Sequence, residues 1–269
     1  MAFRLTHRQC VRALLLASSI TTHACADAEP AGTAEWRIAG VERNAVSWVA
    51  SRLLACIYKD AGLPMRVQAV PASRAHLMAL EGTVDGELIR MSNYADSTAT
   101  LVRIDPPFYR ISLVAYSLAA RHVHIQDASD LRRYKVGSLR GLTTAQTLTS
   151  KLPDVTLVSS PEQMFQMLQR GRIDVAIETR LSGAYTLQRL HAQNLAVSPE
   201  LTHFELHHYL DLRHKDSVAP LSAAIERLRN AGSLQRMTTS FERQVSRVDL
   251  DRWAETTMPE VACEASGPH

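Results

Sequence analysis

Hydrophobic and polar positions change their spacing along the chain in a regular way. Short apolar or alternating runs, typical of strands, are separated by runs whose apolar residues recur every three or four positions, as on one face of a helix. Strands are predicted at 36–41, 65–70 and 85–90, with helices at 46–58 and 71–80 between them. This alternation predicts an α/β fold of mostly parallel sheet flanked by helices.

The same order begins again in the second half of the chain. Strands are predicted at 135–139, 155–159 and 174–179, and Ser160-Pro161-Glu162-Gln163 is typical of a helix start. Gly82-Thr83-Val84-Asp85 matches Gly171-Arg172-Ile173-Asp174 at an offset of 89 positions. A fixed offset favours two lobes of one design. Coincidence stays open as the alternative, because a helix followed by glycine and a strand is common in α/β proteins.

Two long extended segments flank the second unit. They lie near 112–117 and 205–211, and they predict crossings from one lobe to the other and back. Helices alone follow, and they are expected to complete the first lobe. The predicted organisation is therefore a signal peptide at 1–28, a first lobe at 29–113 and 207–262, a second lobe at 114–206 and a loose tail at 263–269.

The first 28 residues have the pattern of an export signal. Arg4, Arg8 and Arg12 precede and flank a short apolar run, and small residues suited to cleavage follow it. That run is too short to span a bilayer. Lipid anchoring through Cys25 is an alternative, although Thr22 stands where such signals have a bulky aliphatic residue. A buried first helix is the structural alternative, disfavoured by the three arginines.

Removing the signal changes both the charge and the cysteine count. Residues 1–28 hold three arginines and one aspartate, so the formal net charge of +3 falls to +1. A chain this close to neutral, with no basic stripe, gives no reason to expect a nucleic-acid partner. Of four cysteines, Cys56 and Cys263 remain. They are a candidate disulfide in an oxidising compartment, and two unpaired thiols are the alternative.

Several segments of the chain together carry a family resemblance. In order and spacing, the chain resembles the type 2 periplasmic solute-binding proteins, in particular family 3, the amino-acid-type substrate-binding proteins of ABC transporters. The segments are Ile57-Tyr58-Lys59-Asp60-Ala61-Gly62, Pro71-Ala72-Ser73-Arg74-Ala75, Gly82-Thr83-Val84-Asp85-Gly86-Glu87, Asp130-Leu131, Lys135-Val136-Gly137-Ser138-Leu139-Arg140-Gly141, Leu168-Gln169-Arg170-Gly171-Arg172-Ile173-Asp174, Arg213-His214-Lys215-Asp216 and Asn230-Ala231-Gly232-Ser233.

This resemblance implies a two-lobed α/β fold with an interlobe cleft that closes by hinge motion. It further implies a periplasmic protein that captures a small polar solute, an amino acid or a related compound, and delivers it to the membrane permease of an ABC importer. We expect a monomer with no cofactor and no metal.

An amino-acid ligand needs a bidentate donor for its carboxylate, which is the role of arginine. Arg90 ends a strand at the edge where open α/β sheets bind ligands, so it is the first choice. The family's cleft arginine follows a shorter loop than the one present here, which leaves Arg103 as a rival. Ser73 and Arg74, at the start of a helix, are also expected to face the cleft.

The second lobe supplies the other predicted ligand contacts. Thr143 or Thr144 is expected to cap a helix and to donate to an anion, with Arg140 adding charge. Glu178 lies where relatives often carry an acid for the ligand ammonium, and a strand-end ion pair with Arg180 is the alternative. Tyr109 is expected to stack on the solute, with Trp48, Tyr94 and Phe108 as further aromatic candidates, and a place in the core is the alternative for all four.

Two other functions stay open at this point. A few enzymes share the fold, and a dehydratase of cyclohexadienyl acids would need an acid in the cleft, for which Glu87 or Glu178 could serve. No nucleophile–base arrangement supports this reading. A ligand sensor would look the same in sequence. Paired histidines at 122 and 124, or at 207 and 208, lack the further ligands of a zinc site.

Overall fold

The computed structural model describes residues 35–94, 99–253 and 263, and these contain ten strands and seven α-helices. The predicted signal peptide lies outside the described residues, as does the predicted tail apart from Cys263. The strands are β1 Trp36–Val41, β2 Met65–Val70, β3 Gly86–Met91, β4 Leu101–Arg103, β5 Tyr109–Leu118, β6 Val136–Leu139, β7 Val155–Val158, β8 Val175–Thr179, β9 Leu195–Val197 and β10 Thr202–Asp211. The helices are α1 Ala45–Asp60, α2 Ala72–Leu80, α3 Thr143–Thr149, α4 Pro161–Gln169, α5 Arg180–Arg189, α6 Val218–Asn230 and α7 Ser233–Val245.

All ten strands form one sheet. Its main order is β2-β1-β3-β10-β5-β8-β6-β7, with β4 paired to β10 and β9 paired to β5. Pairs among β1, β2 and β3, and among β6, β7 and β8, are parallel, whereas every pair that includes β5 or β10 is antiparallel. Two parallel half-sheets are thus joined by two antiparallel strands, and the predicted α/β fold class is confirmed.

The joining strands β5 and β10 pair with each other over 109–113 and 202–206. Beyond this ribbon, β10 continues along β3 and β4, while β5 continues along β8 and β9. We call the half with β1–β4, α1, α2, α6 and α7 the first lobe, and the half with β6–β9 and α3–α5 the second lobe. The exact lobe boundaries stay a prediction.

Helices cover both faces of each half-sheet. In the first lobe, α1, α6 and α7 enclose the largest apolar cluster, and α2 covers the opposite face. In the second lobe, one face packs around Ala145 of α3 and the other around Phe165 of α4. α1 lies in the middle of its cluster, which explains why apolar residues occur all round it.

Local sequence signals set the ends of several helices. The side chain of Asn44 accepts a hydrogen bond from the backbone N–H of Ser47 at 2.8 Å and caps α1. Ser160 caps α4 in the same way, with Pro161 as the first helical residue, as predicted. Gly183 lies inside α5 because a Cβ at that position would overlap the ring of Tyr116.

The chain end is fixed to the first lobe by a disulfide between Cys56 and Cys263. Cys56 is buried in α1, so this bond ties residue 263 to the centre of the first-lobe core. Across the described residues, no helix combines the length and the apolar character that a membrane crossing requires.

Candidate functional site

A cavity of about 680 Å³ lies where the two lobes meet. Its walls come from β5, from the first turn of α5 in the second lobe, and from α7 in the first lobe. This volume is in the range of small-molecule sites. The lining includes the apolar residues Pro107, Phe108, Ile111, Leu181, Ala184 and Leu234, and the polar residues Tyr109, Arg110, Ser112, Thr179, Arg180, Glu205, Arg229, Gln235, Thr238 and Glu242.

Two helices place side chains on the walls of this cavity, α7 by its four-residue spacing and α5 by the position of its first turn. On α7, Leu234, Thr238 and Glu242 are four residues apart, so they lie on one face in successive turns. α5 begins at the cavity, where the hydroxyl of Thr179 accepts a hydrogen bond from the backbone N–H of Ser182 at 3.2 Å. This cap sets Arg180, in the first turn, on the second-lobe wall.

The cationic side chains of the cavity differ in their partners. Arg110 is ion-paired with Glu200 at 2.6 Å. Arg229 donates to the carbonyl oxygen of Pro107, and Arg180 donates to the carbonyl oxygen of Ser198 at 3.5 Å. Within the described part of the chain, neither Arg180 nor Arg229 has a carboxylate partner. One arginine from each lobe is therefore available to an anionic group.

Two acids face the same cavity. The hydroxyl of Tyr109 donates to Oε1 of Glu242 at 2.9 Å. Burial raises the pKa of Glu242, and burial together with the charge of Glu242 raises the pKa of Tyr109. Neither Glu242 nor Glu205 forms an ion pair with another described residue. The cavity thus presents unpaired charges of both signs.

Arg90, the first choice for the carboxylate, lies in a different place. A bulge in the β3–β10 pairing sets two residues of β3 opposite His208, so Arg90 comes to the same face as Glu87. There Arg90 is ion-paired with the buried carboxylate of Glu87, and its guanidinium lies 5.2 Å from the centroid of the Tyr94 ring. Tyr94 is also hydrogen-bonded to His76 of α2. Arg90 therefore belongs to a polar cluster of the first lobe, and its ligand role stays a prediction.

Arg103, the alternative candidate for the cleft arginine, also has partners within the protein. Its guanidinium contacts both carboxylate oxygens of Asp105 at 3.0 to 3.1 Å and donates to the carbonyl oxygen of Ser92 at 2.9 Å. His207 lies against the same carboxylate, with Nδ1 3.0 Å from Oδ1 of Asp105. Arg103 thus holds the end of β3 and the segment before β5 together.

Three further predicted ligand residues are exposed and lie away from the cavity. Ser73 and Arg74 lie in the first turn of α2, and Arg140 follows β6, and none of the three lines the cavity. Phe108 lines it, whereas Trp48 is buried in the first-lobe core. Of the eight predicted ligand residues, Tyr109 alone lines the cavity among those whose side chains are described.

The capping role expected for Thr143 or Thr144 is wrong. Leu142 is the N-cap of α3, because its carbonyl oxygen accepts the first helical hydrogen bonds from Ala145 and Gln146 at 3.0 and 3.1 Å. The side chain of Thr143 lies outside the described part. Thr144 is buried, and its hydroxyl has no hydrogen-bond partner among the residues that the structure describes.

Glu178 is buried at the end of β8. Oε1 accepts a hydrogen bond from the backbone N–H of Thr179 at 2.7 Å, while Oε2 has no hydrogen-bond partner in the described part of the chain. Burial raises the pKa of Glu178 to about 7. Only 2% of the residue is exposed, so an ammonium group could reach Glu178 only after a rearrangement. Its predicted role as an ammonium ligand stays a prediction.

Sequence reasoning missed Arg180, Arg229, Glu205 and Glu242. One signal was available: the polar residues on the cavity face of α7 recur every three or four positions. However, nothing in the sequence relates α7 to β5, because these elements are more than a hundred residues apart and meet only in the folded chain.

Comparisons with known proteins support the fold. No family model matches the chain. An uncharacterized protein of Shewanella oneidensis is 28% identical over 182 residues, covering 65% of this chain and 69% of that protein.

Solved structures align over most of the chain at low identity. The GluR0 ligand-binding core in complex with L-glutamate has a TM-score of 0.65 at 11% identity, covering 77% of this chain and 97% of its own. A histidine kinase sensor domain with similarity to periplasmic binding proteins has a TM-score of 0.62 at 17%, covering 77% and 96%. The substrate-binding protein of an amino acid ABC transporter has a TM-score of 0.57 at 14%, covering 78% and 99%. The chain therefore has the two-lobed fold of type II periplasmic binding proteins.

Proposed function

We propose that the protein is an exported binding protein that captures a small zwitterionic solute, an amino acid or a related compound, between its lobes. The supporting observation is the cavity of about 680 Å³ in which, among the described residues, Arg180 and Arg229 have no carboxylate partner and Glu205 and Glu242 have no cationic one. Glu242 is half-buried, and a half-buried charge is costly unless it is paired, so a ligand that brings a cationic group to it is favoured. Arg180, Arg229 and Glu205 are exposed at the cavity wall, where they can contact the complementary groups of such a ligand. Binding without catalysis is part of this proposal.

In this proposal the arginines receive the solute's carboxylate and the acids receive its ammonium group. Tyr109 positions Glu242 through its hydroxyl, and Phe108 and Leu181 supply apolar contact. Known proteins of this fold that bind L-glutamate or serve amino acid transport support the solute class. Arg90, Ser73, Arg74, Arg140, Thr143, Thr144 and Glu178 are kept as contacts to be tested.

A thermal-shift screen of amino acids, diamines and small dicarboxylates tests the solute class. A true ligand at about 100 times its Kd adds about 2.7 kcal/mol of stability by mass action, which a melting curve resolves easily. The proposal predicts that zwitterions raise the melting temperature more than amines or carboxylates of the same size. Equal shifts from simple carboxylates would contradict the proposed ammonium site.

We further propose that the bound solute is delivered to the permease of an ABC importer, with the protein acting as a periplasmic monomer after loss of residues 1–28. Sensing is the second candidate, and the similarity to a histidine kinase sensor domain favours it. Uptake of labelled solute by source cells with and without the gene separates the two. Transport predicts lost uptake, while sensing predicts unchanged uptake and an altered transcriptional response to the solute.

A further inference from the structure

The segment that follows α7 contacts both lobes. We call residues 248–253 the C-terminal strap. Leu250 and Trp253 are buried in the first-lobe apolar cluster, so the strap is part of the first lobe by packing. The chain then continues to Cys263, whose disulfide with Cys56 ties it to α1 of the same lobe.

Helix α5 brings the second lobe to this strap. Leu187 of α5 and Leu190, which directly follows this helix, pack on the second-lobe core. Leu181 and Tyr185 of α5 pack against the first-lobe cluster that contains the strap. α5 therefore has one apolar face in each lobe. Relative motion of the lobes must shift α5 against the strap.

Polar contacts between α5 and the strap are specific. The hydroxyl of Tyr185 donates to the carbonyl oxygen of Val248 at 3.1 Å and accepts from the backbone N–H of Leu250 at 3.2 Å. At the end of α5, Arg189 is ion-paired with Asp251 at 2.8 Å. The other oxygen of Asp251 lies 3.6 Å from Arg43, in the turn between β1 and α1. Asp251 thus bridges an arginine of each lobe.

We propose that the C-terminal strap is a conformational restraint that holds α5 of the second lobe against the first lobe and limits hinge motion at the β5–β10 ribbon. Leu250 and Trp253 are buried in the first-lobe cluster, so the strap stays with the first lobe when the second lobe moves. The hydrogen bonds of Tyr185 and the Asp251 bridge then oppose separation of the lobes.

The distance between the two lobes reports directly on whether the strap limits hinge motion. Leu77 on α2 and Leu157 on β7 are 52% and 41% exposed, so spin labels on L77C and L157C report on the first and second lobes in the full oxidised chain. Tyr185→Phe removes both strap hydrogen bonds and keeps the ring. We expect it to shift or broaden the distance distribution by about 2 Å or more, the scale of hinge rearrangements.

Tyr134→Phe is a matched control within one lobe. The hydroxyl of Tyr134 also donates to a carbonyl and accepts from a backbone N–H, both of His124. This variant should leave the distribution unchanged. Should Tyr185→Phe not fold, Asp251→Asn at a half-exposed side chain carries the same expectation. Distributions that match the parent in folded Tyr185→Phe, or in Asp251→Asn, would overturn the proposal. No ligand is needed, so this outcome is independent of the proposed function.

Discussion

His208 lies inside the first lobe with both ring nitrogens engaged. Nδ1 is 2.9 Å from the carbonyl oxygen of Glu87, and Nε2 is 2.9 Å from the hydroxyl of Tyr58. A carbonyl oxygen only accepts, so the proton is on Nδ1 and Nε2 accepts from Tyr58. Burial lowers the pKa of His208 to about 4, which keeps the ring neutral at neutral pH.

Tyr58→Phe removes the donor to Nε2 and leaves a buried acceptor unsatisfied. We expect a loss of about 1–3 kcal/mol in the free energy of unfolding, measured by urea denaturation. Tyr134→Phe removes a hydroxyl whose partner His124 is near the surface, and it should cost less. Equal costs for the two variants would contradict the buried Tyr58–His208 hydrogen bond.

Glu178 makes the free energy of unfolding depend on pH. Its pKa is raised from 4.5 to about 7, so the native state holds the proton more tightly than the unfolded state does. Stability from this group is therefore fully present below about pH 4.5 and is lost as the pH rises to about 7.

Glu178→Gln removes that loss. Relative to the parent, the variant should gain up to about 3 kcal/mol in the free energy of unfolding between pH 4.5 and pH 7.5. Denaturation curves at a series of pH values measure this difference. A difference that does not change with pH would show that Glu178 titrates normally in the folded chain.

At the scale of elements, the disulfide joins α1 to a residue beyond the last helix, 207 positions away in sequence. Cys263→Ala should lower the free energy of unfolding by about 2–5 kcal/mol, because the unfolded chain is no longer closed into a loop. Thermal unfolding with and without a dithiol reductant measures the effect. The reductant should destabilise the parent and leave the variant unchanged, and a parent that is insensitive to it would contradict the bond.

The elements themselves were largely predictable from the sequence. Spacing of apolar residues placed α1, α2, β1 and β2 within a residue or two of their observed ends, because each buries one continuous face or run. β4 and β9 were missed, since each has three residues and is defined by its partner strand. The N-cap of α3 was misjudged, because two threonines suggested a side-chain cap and the capping position is instead Leu142.

The site was less predictable than the elements. Tyr109 was named among four aromatic residues that could stack on a solute, and it lines the cavity. Arg229 and Glu242 were not found, because a charged residue on a helix is usually solvated and only the tertiary contact with β5 gives these two a common cavity. The bulge that turns Arg90 toward Glu87 also arises from strand pairing, which local sequence does not specify.

For the whole molecule, two half-sheets share the ribbon of β5 and β10, and the cavity of about 680 Å³ lies beside it. Both lobes supply charges to this cavity, so solute binding and the interlobe distance are expected to be coupled. A ligand that contacts Arg180 and Arg229 together stabilises the relative position of the lobes in which both guanidinium groups can bind it.

Isothermal titration calorimetry with a solute from the thermal-shift screen tests the central claim most directly. Arg229→Gln should weaken binding by about 10-fold or more, since a charged hydrogen bond to the ligand is lost. Arg227→Gln is the matched control on the same helix, because Arg227 is paired with Asp60 at 2.7 Å and does not line the cavity. It should bind like the parent. Equal affinities for parent and Arg229→Gln would contradict solute capture in this cavity.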